Sequence, residues 1–466
     1  MHEAPNFPAP GLSRRLQGMK GVTYRKFLLI VLMVILALNQ VDRLALGLLL
    51  QDIKASLHLS DTRLGLLTGI AFALFYSVMG IPIARWADRG NRVTIISLTT
   101  ALWSVMVVLC GWAGSFLQLL LIRIGVAVGE AGCIPPALSL IADHFTRVQR
   151  PRAVSVYLLG GPLSVVIGYF LAGWLNQLYG WRMTFMILGA PGLVLALLTA
   201  FSLREPRRQI SRTAGTSRLA ADVIAKPSPA ESPAPTLTDV FLTLWSIHTF
   251  RHLLFSFAVL SFFSTGIQQW QPAFFTRSYS LTTGQLGTWF AVIYGLGGIL
   301  GTYWGGEWAT RYAAADERRQ LRAIAAICCI FAVLSAFIYL SRNHYVAFAL
   351  MALAVVVIAA ANPPMFATMQ TLVPERMRAM STAILYLSAN LIGLGFGPLV
   401  VGALSDAFRP LRGEDSLRYA LLAMCPGYWW GAWHLWRASV TVTLDLDRLH
   451  ADQADPQYPH PLTTAD

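Results

Sequence analysis

Four charged residues stand inside otherwise apolar stretches: Asp42 and Arg43 in one, Arg123 and Glu130 in another. A charge at the centre of a membrane helix costs at least about 2.5 to 3.5 kcal/mol, so each needs a partner or a purpose. Carboxylates and guanidiniums satisfy one another as ion pairs. A buried carboxyl is also a proton acceptor, because low dielectric disfavours its charged form while a neighbouring arginine favours it. Protonation can therefore release such a pair and favour one of two conformations. On this chemistry Asp42 and Glu130 are the candidate proton-coupling residues, and Arg123, Arg43 and Asn39 the candidate substrate or ion-pair residues.

The elements that must position them are membrane helices. Of 466 residues, 55% are hydrophobic and 13% charged, where a soluble domain carries about a quarter charged residues. Apolar runs of about 20 residues, enough to cross roughly 30 Å of hydrocarbon, recur at 27–50, 63–84, 93–113, 116–143, 152–177, 183–203, 252–276, 285–308, 321–341, 345–371, 379–406 and 416–440. These predict twelve spanning helices and an all-α integral membrane fold. The first run is too long for a signal-peptide core and no small-residue cleavage site follows it, so it is expected to remain as helix 1, with the mature protein starting near Met1.

The net charge of +13 reflects topology rather than a nucleic-acid footprint. With the N-terminus cytoplasmic, the cytoplasmic segments hold 25 Lys and Arg against eight on the other side, which is the positive-inside pattern with both termini inside. Cys110, Cys133, Cys328, Cys329 and Cys425 all fall in apolar runs without metal-site spacing and read as small buried hydrophobes. No metal and no cofactor are expected beyond protons as coupling ion.

Depth follows from counting. Asp42 lies eight residues from the outer end of helix 1, and Arg123 eight from Ser115 at the outer start of helix 4; at 1.5 Å per residue each is about 12 Å from the outer surface. Glu130, seven residues past Arg123, returns to nearly the same helix face about 10 Å deeper. Asp42 is assigned to the cavity side, pairing with Arg123. Adjacent Arg43 points about 100° away, and its orientation is open.

A Pro-, Ser- and Ala-rich stretch divides the helices six and six. The expected organisation is a cytoplasmic tail 1–26, a six-helix bundle 27–203, a cytoplasmic linker 204–251, a second bundle 252–440 and a cytoplasmic tail 441–466. The halves repeat: Ala84-Arg-Trp-Ala-Asp-Arg89 echoes Gly306-Glu-Trp-Ala-Thr-Arg311, Pro135-Pro136 echoes Pro363-Pro364, Arg150-Pro-Arg152 echoes Arg376-Met-Arg378, and Gly173 matches Gly402, at offsets of 222, 228, 226 and 229.

Parallel six-helix repeats joined by such a linker resemble the major facilitator superfamily, whose motif after helix 2, Gly-x-x-x-Asp-Arg-x-Gly-Arg, is matched by Ala84-Arg-Trp-Ala-Asp88-Arg89-Gly90-Asn91-Arg92 with both glycines replaced. The resemblance makes Asp88, Arg89 and Arg92 a cytoplasmic gating motif, with Asp88 accepting hydrogen bonds from a helix N-terminus of the other half. Asn39-Gln-Val-Asp42-Arg43, and Arg123-Ile-Gly-Val-Ala-Val-Gly129-Glu130-Ala131 followed by Pro136 and Ile141-Ala-Asp143-x-Phe145, are similar to the spinster lipid transporters. The resemblance implies alternating access, helices 1, 4, 7 and 10 around a cavity, and an amphipathic lipid-like or anionic solute. A proton-coupled drug or organic-anion carrier is the alternative. Gln268, Gln271 and Asn362 are then candidate cavity polar residues, and Tyr428, Trp429, Trp430, Trp433 and Trp436 interface anchors. The chain has no nucleophile elbow, His-Glu-x-x-His pair or phosphate loop, which argues against an enzyme. A monomer in the bilayer, in a bacterial inner membrane, is expected.

Overall fold

The computed structural model describes residues 12–146, 148–206, 237–313, 316–373 and 377–454. Among them every regular element is helical. Ten helical stretches are long and apolar enough to cross a membrane: α1 (Leu12–Leu57), α2 (Asp61–Arg89), α3 (Arg92–Cys110), α4 (Phe116–His144), Arg150–Ser202, α7 (His248–Tyr279), α8 (Thr283–Tyr312), α9 (Glu317–Leu340), α10 (His344–Thr371) and Met380–Leu449. Two of these, at 53 and 70 residues, would run about 80 and 105 Å as single rods. Each is broken at a glycine of positive φ, Gly180 at 76° and Gly413 at 56°, a conformation glycine adopts without a Cβ clash. They divide into α5 (150–179), α6 (181–202), α11 (380–412) and α12 (416–449), which is consistent with twelve crossings. Polar caps set where spans begin: Ser60, Asn91, Ser115, Thr282 and Asn343 each accept a backbone N–H of the first turn.

Several boundaries differ from the sequence expectation. Helix 1 starts at Leu12 rather than 27, and the last helix runs to Ala454, past 440; Lys, Arg, Leu and Gln favour helix in water as well as in lipid, so apolarity marks the crossing and not the helix end. The expected linker 204–251 contains a helix, Leu237–Ser246, and the first turn of α7. Residues 207–236, and residues 1–11 and 455–466 of the expected tails, lie outside the described residues, as does Arg147. Cys329 is exposed while the other four cysteines are buried. Tyr428 is buried against Phe331, unlike Trp429, Trp430, Trp433 and Trp436, which are about half exposed.

The repeat is visible in two places. Helix α4 breaks between Ala131 and Ile134, and α10 between Ala359 and Asn362; each restarts with its Pro-Pro pair in the first turn, where proline's missing N–H is harmless. The halves meet along two matching seams. A Cβ on Gly402 of α11 would stand 2.3 Å from the Asp61 carbonyl at the start of α2, and one on Gly173 of α5 would stand 2.4 Å from the Thr283 carbonyl at the start of α8. Only glycine permits either approach.

Candidate functional site

Arg123 of α4 donates from Nη1 to Asp42 Oδ2 of α1 at 2.6 Å, with both side chains 2% exposed. Seven residues along α4, in the last turn before the break, Glu130 accepts from Arg43 Nε at 2.6 Å and also pairs with Arg43 Nη2. The four charges are thus two crossed pairs on two helices. Phe72 of α2 lies against both arginines, its ring centroid 4.5 Å from the Arg43 guanidinium and 5.5 Å from that of Arg123; Tyr76 covers Arg43 at 4.8 Å. Asp42 Oδ1, Glu130 Oε1 and Arg123 Nε are buried without a protein hydrogen-bond partner. Asn39, one turn before Asp42, is buried and donates weakly to Cys133 Sγ at 3.7 Å, tying α1 to the α4 break.

A cavity of about 340 Å³ lies between the halves beside this quartet. Its polar wall is Gln40, Arg43, Ser164, Thr265, Gln268 and Gln269, and Leu44, Val165 and Leu394 supply apolar surface. This corrects the assignment of Asp42 to the cavity side. Arg43, whose side chain is 23% exposed, lines the cavity, and Asp42 sits behind it. Of the expected polar residues in the second half, only Gln268 reaches the cavity. Gln271 is instead locked inside its own half, donating to Tyr339 Oη at 3.0 Å and accepting from Tyr294 Oη. Asn362 is exposed at the restart of α10 and does not line the cavity.

At the end of the bundle away from the α1 N-terminus, a latch crosses between the halves that sequence reasoning missed. Arg277 of α7 holds Asp61 of α2 bidentately, at 2.8 and 2.6 Å, and Lys54 and Ser405 bond the same carboxylate. Asp406 of α11 accepts from the Asp61 and Thr62 amides at 3.1 and 2.7 Å, capping the α2 N-terminus from the other half. At the matching position of the other seam, Gln177 of α5 accepts from the Gly284 amide at the start of α8. Cross-half capping of a helix N-terminus is made at the far end by Asp406 and Gln177. Asp88 and Arg89 are exposed, whereas Arg92 is buried and pairs with Glu205 and Asp143 while donating to Ser139.

The family model described as Major Facilitator Superfamily matches residues 32–398. The chain belongs to the major facilitator superfamily. It is 30% identical over 89% of its length to an MFS-type efflux pump of Mycolicibacterium smegmatis, covering 93% of that protein. Protein spinster homolog 1 of Xenopus tropicalis is 26% identical, over 87% of this chain and 79% of the relative. Among solved structures, a bacterial homolog of the human lysosomal transporter spinster, in an inward-facing and unoccupied conformation, matches with TM-score 0.78 and 29% identity, over 91% of this chain and 98% of that one. The same homolog in the occupied inward-facing form gives 0.70. This member of the superfamily is a spinster-like, multi-pass membrane transporter of small solutes, and not an enzyme.

Proposed function

We propose that this transporter is a proton-coupled alternating-access carrier of an amphipathic, lipid-like or organic anion, with both termini cytoplasmic in a bacterial inner membrane. The observation that carries the reading is the double duty of Arg43, which lines the cavity and at the same time neutralises buried Glu130. An anionic group entering the cavity competes with Glu130 for that guanidinium. When Arg43 turns to the substrate, Glu130 loses its cation and needs a proton. Binding of anion and of proton thereby favour one another, and by linkage the preference is reciprocal. Arg123 keeps its own ion pair with Asp42, so Glu130 is the carboxyl left to take the proton.

The bonds at the Asp61 latch close the far end of the bundle, and the match to inward-facing structures supports the same assignment here, with the cavity reached from the cytoplasm. The mixed polar and apolar cavity wall suits an amphiphile. The test is flux in liposomes under an imposed pH gradient, comparing unchanged protein with Asp42→Asn and Glu130→Gln. Loss of pH-driven flux in Glu130→Gln, with facilitated downhill exchange kept, is expected; full pH dependence in both variants sinks the reading. Thermal shift with lysolipids and organic anions, with Arg43→Gln and Arg123→Ala as controls, identifies the substrate class.

A further inference from the structure

A second cavity, of about 610 Å³, lies apart from the transport site, between α1 around residues 25–30, the first turns of α5 and the end of α4. Its rim carries three cations, Arg25, Lys26 and Arg152. Its floor is apolar, formed by buried Leu29 and Ala153 with Val156, and Ile30 stands at its mouth. Elsewhere on the same basic face, arginines find acidic partners: Arg92 with Asp143 and Glu205, Arg311 with Glu307, Arg319 with Asp316. Among the described residues none of Arg25, Lys26 and Arg152 is in an ion pair; Arg25 only stacks over Phe145 at 5.9 Å. Three cations converge on one concavity, and among the described residues no acidic side chain forms an ion pair with them.

The depth of the site selects its ligand. Lys26 immediately precedes the apolar run of α1, and Arg152 opens that of α5, so the rim stands at the membrane–water boundary and the floor just inside the hydrocarbon. Ile30, 54% exposed at the mouth, is surface that water would leave bare and an acyl chain would cover. A free anion would use the rim and leave the floor empty; a zwitterionic lipid would use the floor and bring no net charge to the rim. We propose that this cavity is a binding site for an anionic phospholipid, with its phosphate on Arg25, Lys26 and Arg152, Gln149 as an additional donor, and the first part of its chains over Leu29, Ile30 and Val156. Basic pockets between helices on the cytoplasmic side are the setting in which lipid headgroups are held electrostatically. The inference does not depend on the transport cavity or its substrate.

The experiment is native mass spectrometry of the full chain exchanged into mixed vesicles of phosphatidylglycerol and phosphatidylcholine, counting retained lipid. The expected result is selective retention of phosphatidylglycerol, reduced at least about tenfold in Arg25→Gln/Lys26→Gln/Arg152→Gln. Retention should be unchanged in Arg63→Gln/Arg409→Gln at the opposite end, and in Arg43→Gln in the transport cavity. Equal retention in the triple variant, with folding verified by thermal unfolding, overturns the proposal. So does loss in Arg43→Gln instead, which would place the lipid in the transport cavity. Displacement of phosphatidylglycerol by inorganic phosphate alone would mark a free-anion site and equally overturn it. Absence of bound lipid together with cross-linking from Lys26 to the 207–236 segment would make the chain itself the occupant.

Discussion

The two halves are copies of one unit, yet only one of them is charged inside. At the offset of 228 that aligns Pro135 with Pro363, Arg123 corresponds to Met351 and Glu130 to Ile358. Both α4 and α10 break at the same place and restart on the same proline pair, so the broken helix forms with the charges and without them. Where the first half has its crossed ion pairs, the second has a neutral hub, Gln271 between Tyr294 and Tyr339, and stacked rings such as Phe275 on Phe348 at 4.6 Å. The second half therefore serves as an internal control for the first. The fold does not require Asp42, Arg43, Arg123 and Glu130, and burying them costs several kcal/mol per ion before their attraction offsets it. In the proposed mechanism, charges kept at that cost without a folding need serve a process in which their partners change.

The sharpest way to break this comparison is to make the first half resemble the second. Arg123→Ala leaves the 2%-exposed Asp42 without its cation, and removal of one member of a buried pair destabilises by about 3–5 kcal/mol; thermal unfolding in detergent should show that loss. Asp42→Asn with Arg123→Met removes both charges and restores the apolar side chain the second half carries. Its stability should return to within about 1 kcal/mol of the unchanged protein, or exceed it, while pH-driven flux in liposomes stays lost. A double variant that transports with full pH dependence would show that the Asp42–Arg123 pair is as dispensable to function as it is to the fold.

An intermediate effect is expected at the seams, where the repeat again differs in charge. On α2–α11 the helix start is held by Asp406 and the Asp61–Arg277 pair; on α5–α8 the equivalent cap is neutral Gln177. Charge-assisted hydrogen bonds contribute about 1.5–3 kcal/mol each and neutral ones about 1. Asp61→Asn should therefore shift the equilibrium toward a conformation open at the far end by roughly ten- to a hundredfold, and Gln177→Ala by less than tenfold. A single cysteine at Thr265, on the cavity wall, in a background with exposed Cys329 replaced by serine, reports this as labelling by an impermeant thiol reagent from the far side. Equal labelling of both variants would mean that the two seams carry the same load.

Much of this arrangement is legible in the sequence, and the exceptions have physical reasons. Apolar run length supplies the spans, offset matching supplies the halves, and residue counting from the span ends puts Asp42 level with Arg123, where the structure pairs them. Arg43 escapes the same reasoning. A turn of about 100° from Asp42 separates the two directions, but Arg43 has the reach to meet Glu130 one level deeper while Asp42 meets Arg123. Asp61, Arg277 and Asp406 escape because each stands at the end of a span, where a charge ordinarily faces water; only the packing of α2 against α11 buries Asp61 to 1% exposure. Gln268 and Gln271 differ by three positions, about 60° around a helix, too little for periodicity to tell a cavity wall from a helix–helix contact.

That last pair yields the smallest and most discriminating effect. Gln271→Leu removes the bonds to Tyr294 and Tyr339 and leaves two buried hydroxyls short of a partner, a loss of about 1–3 kcal/mol. Because this hub lies inside the second half and apart from the quartet, the midpoint of thermal unfolding should fall while the pH dependence of flux keeps its shape. Gln268→Leu should do the reverse, since Gln268 is a partly exposed cavity residue: stability within about 0.5 kcal/mol of the unchanged protein and weaker apparent substrate affinity. If Gln271→Leu altered the pH profile, protons would be sensed in both halves, and the division into a charged, coupling copy and a neutral, scaffolding copy would fail.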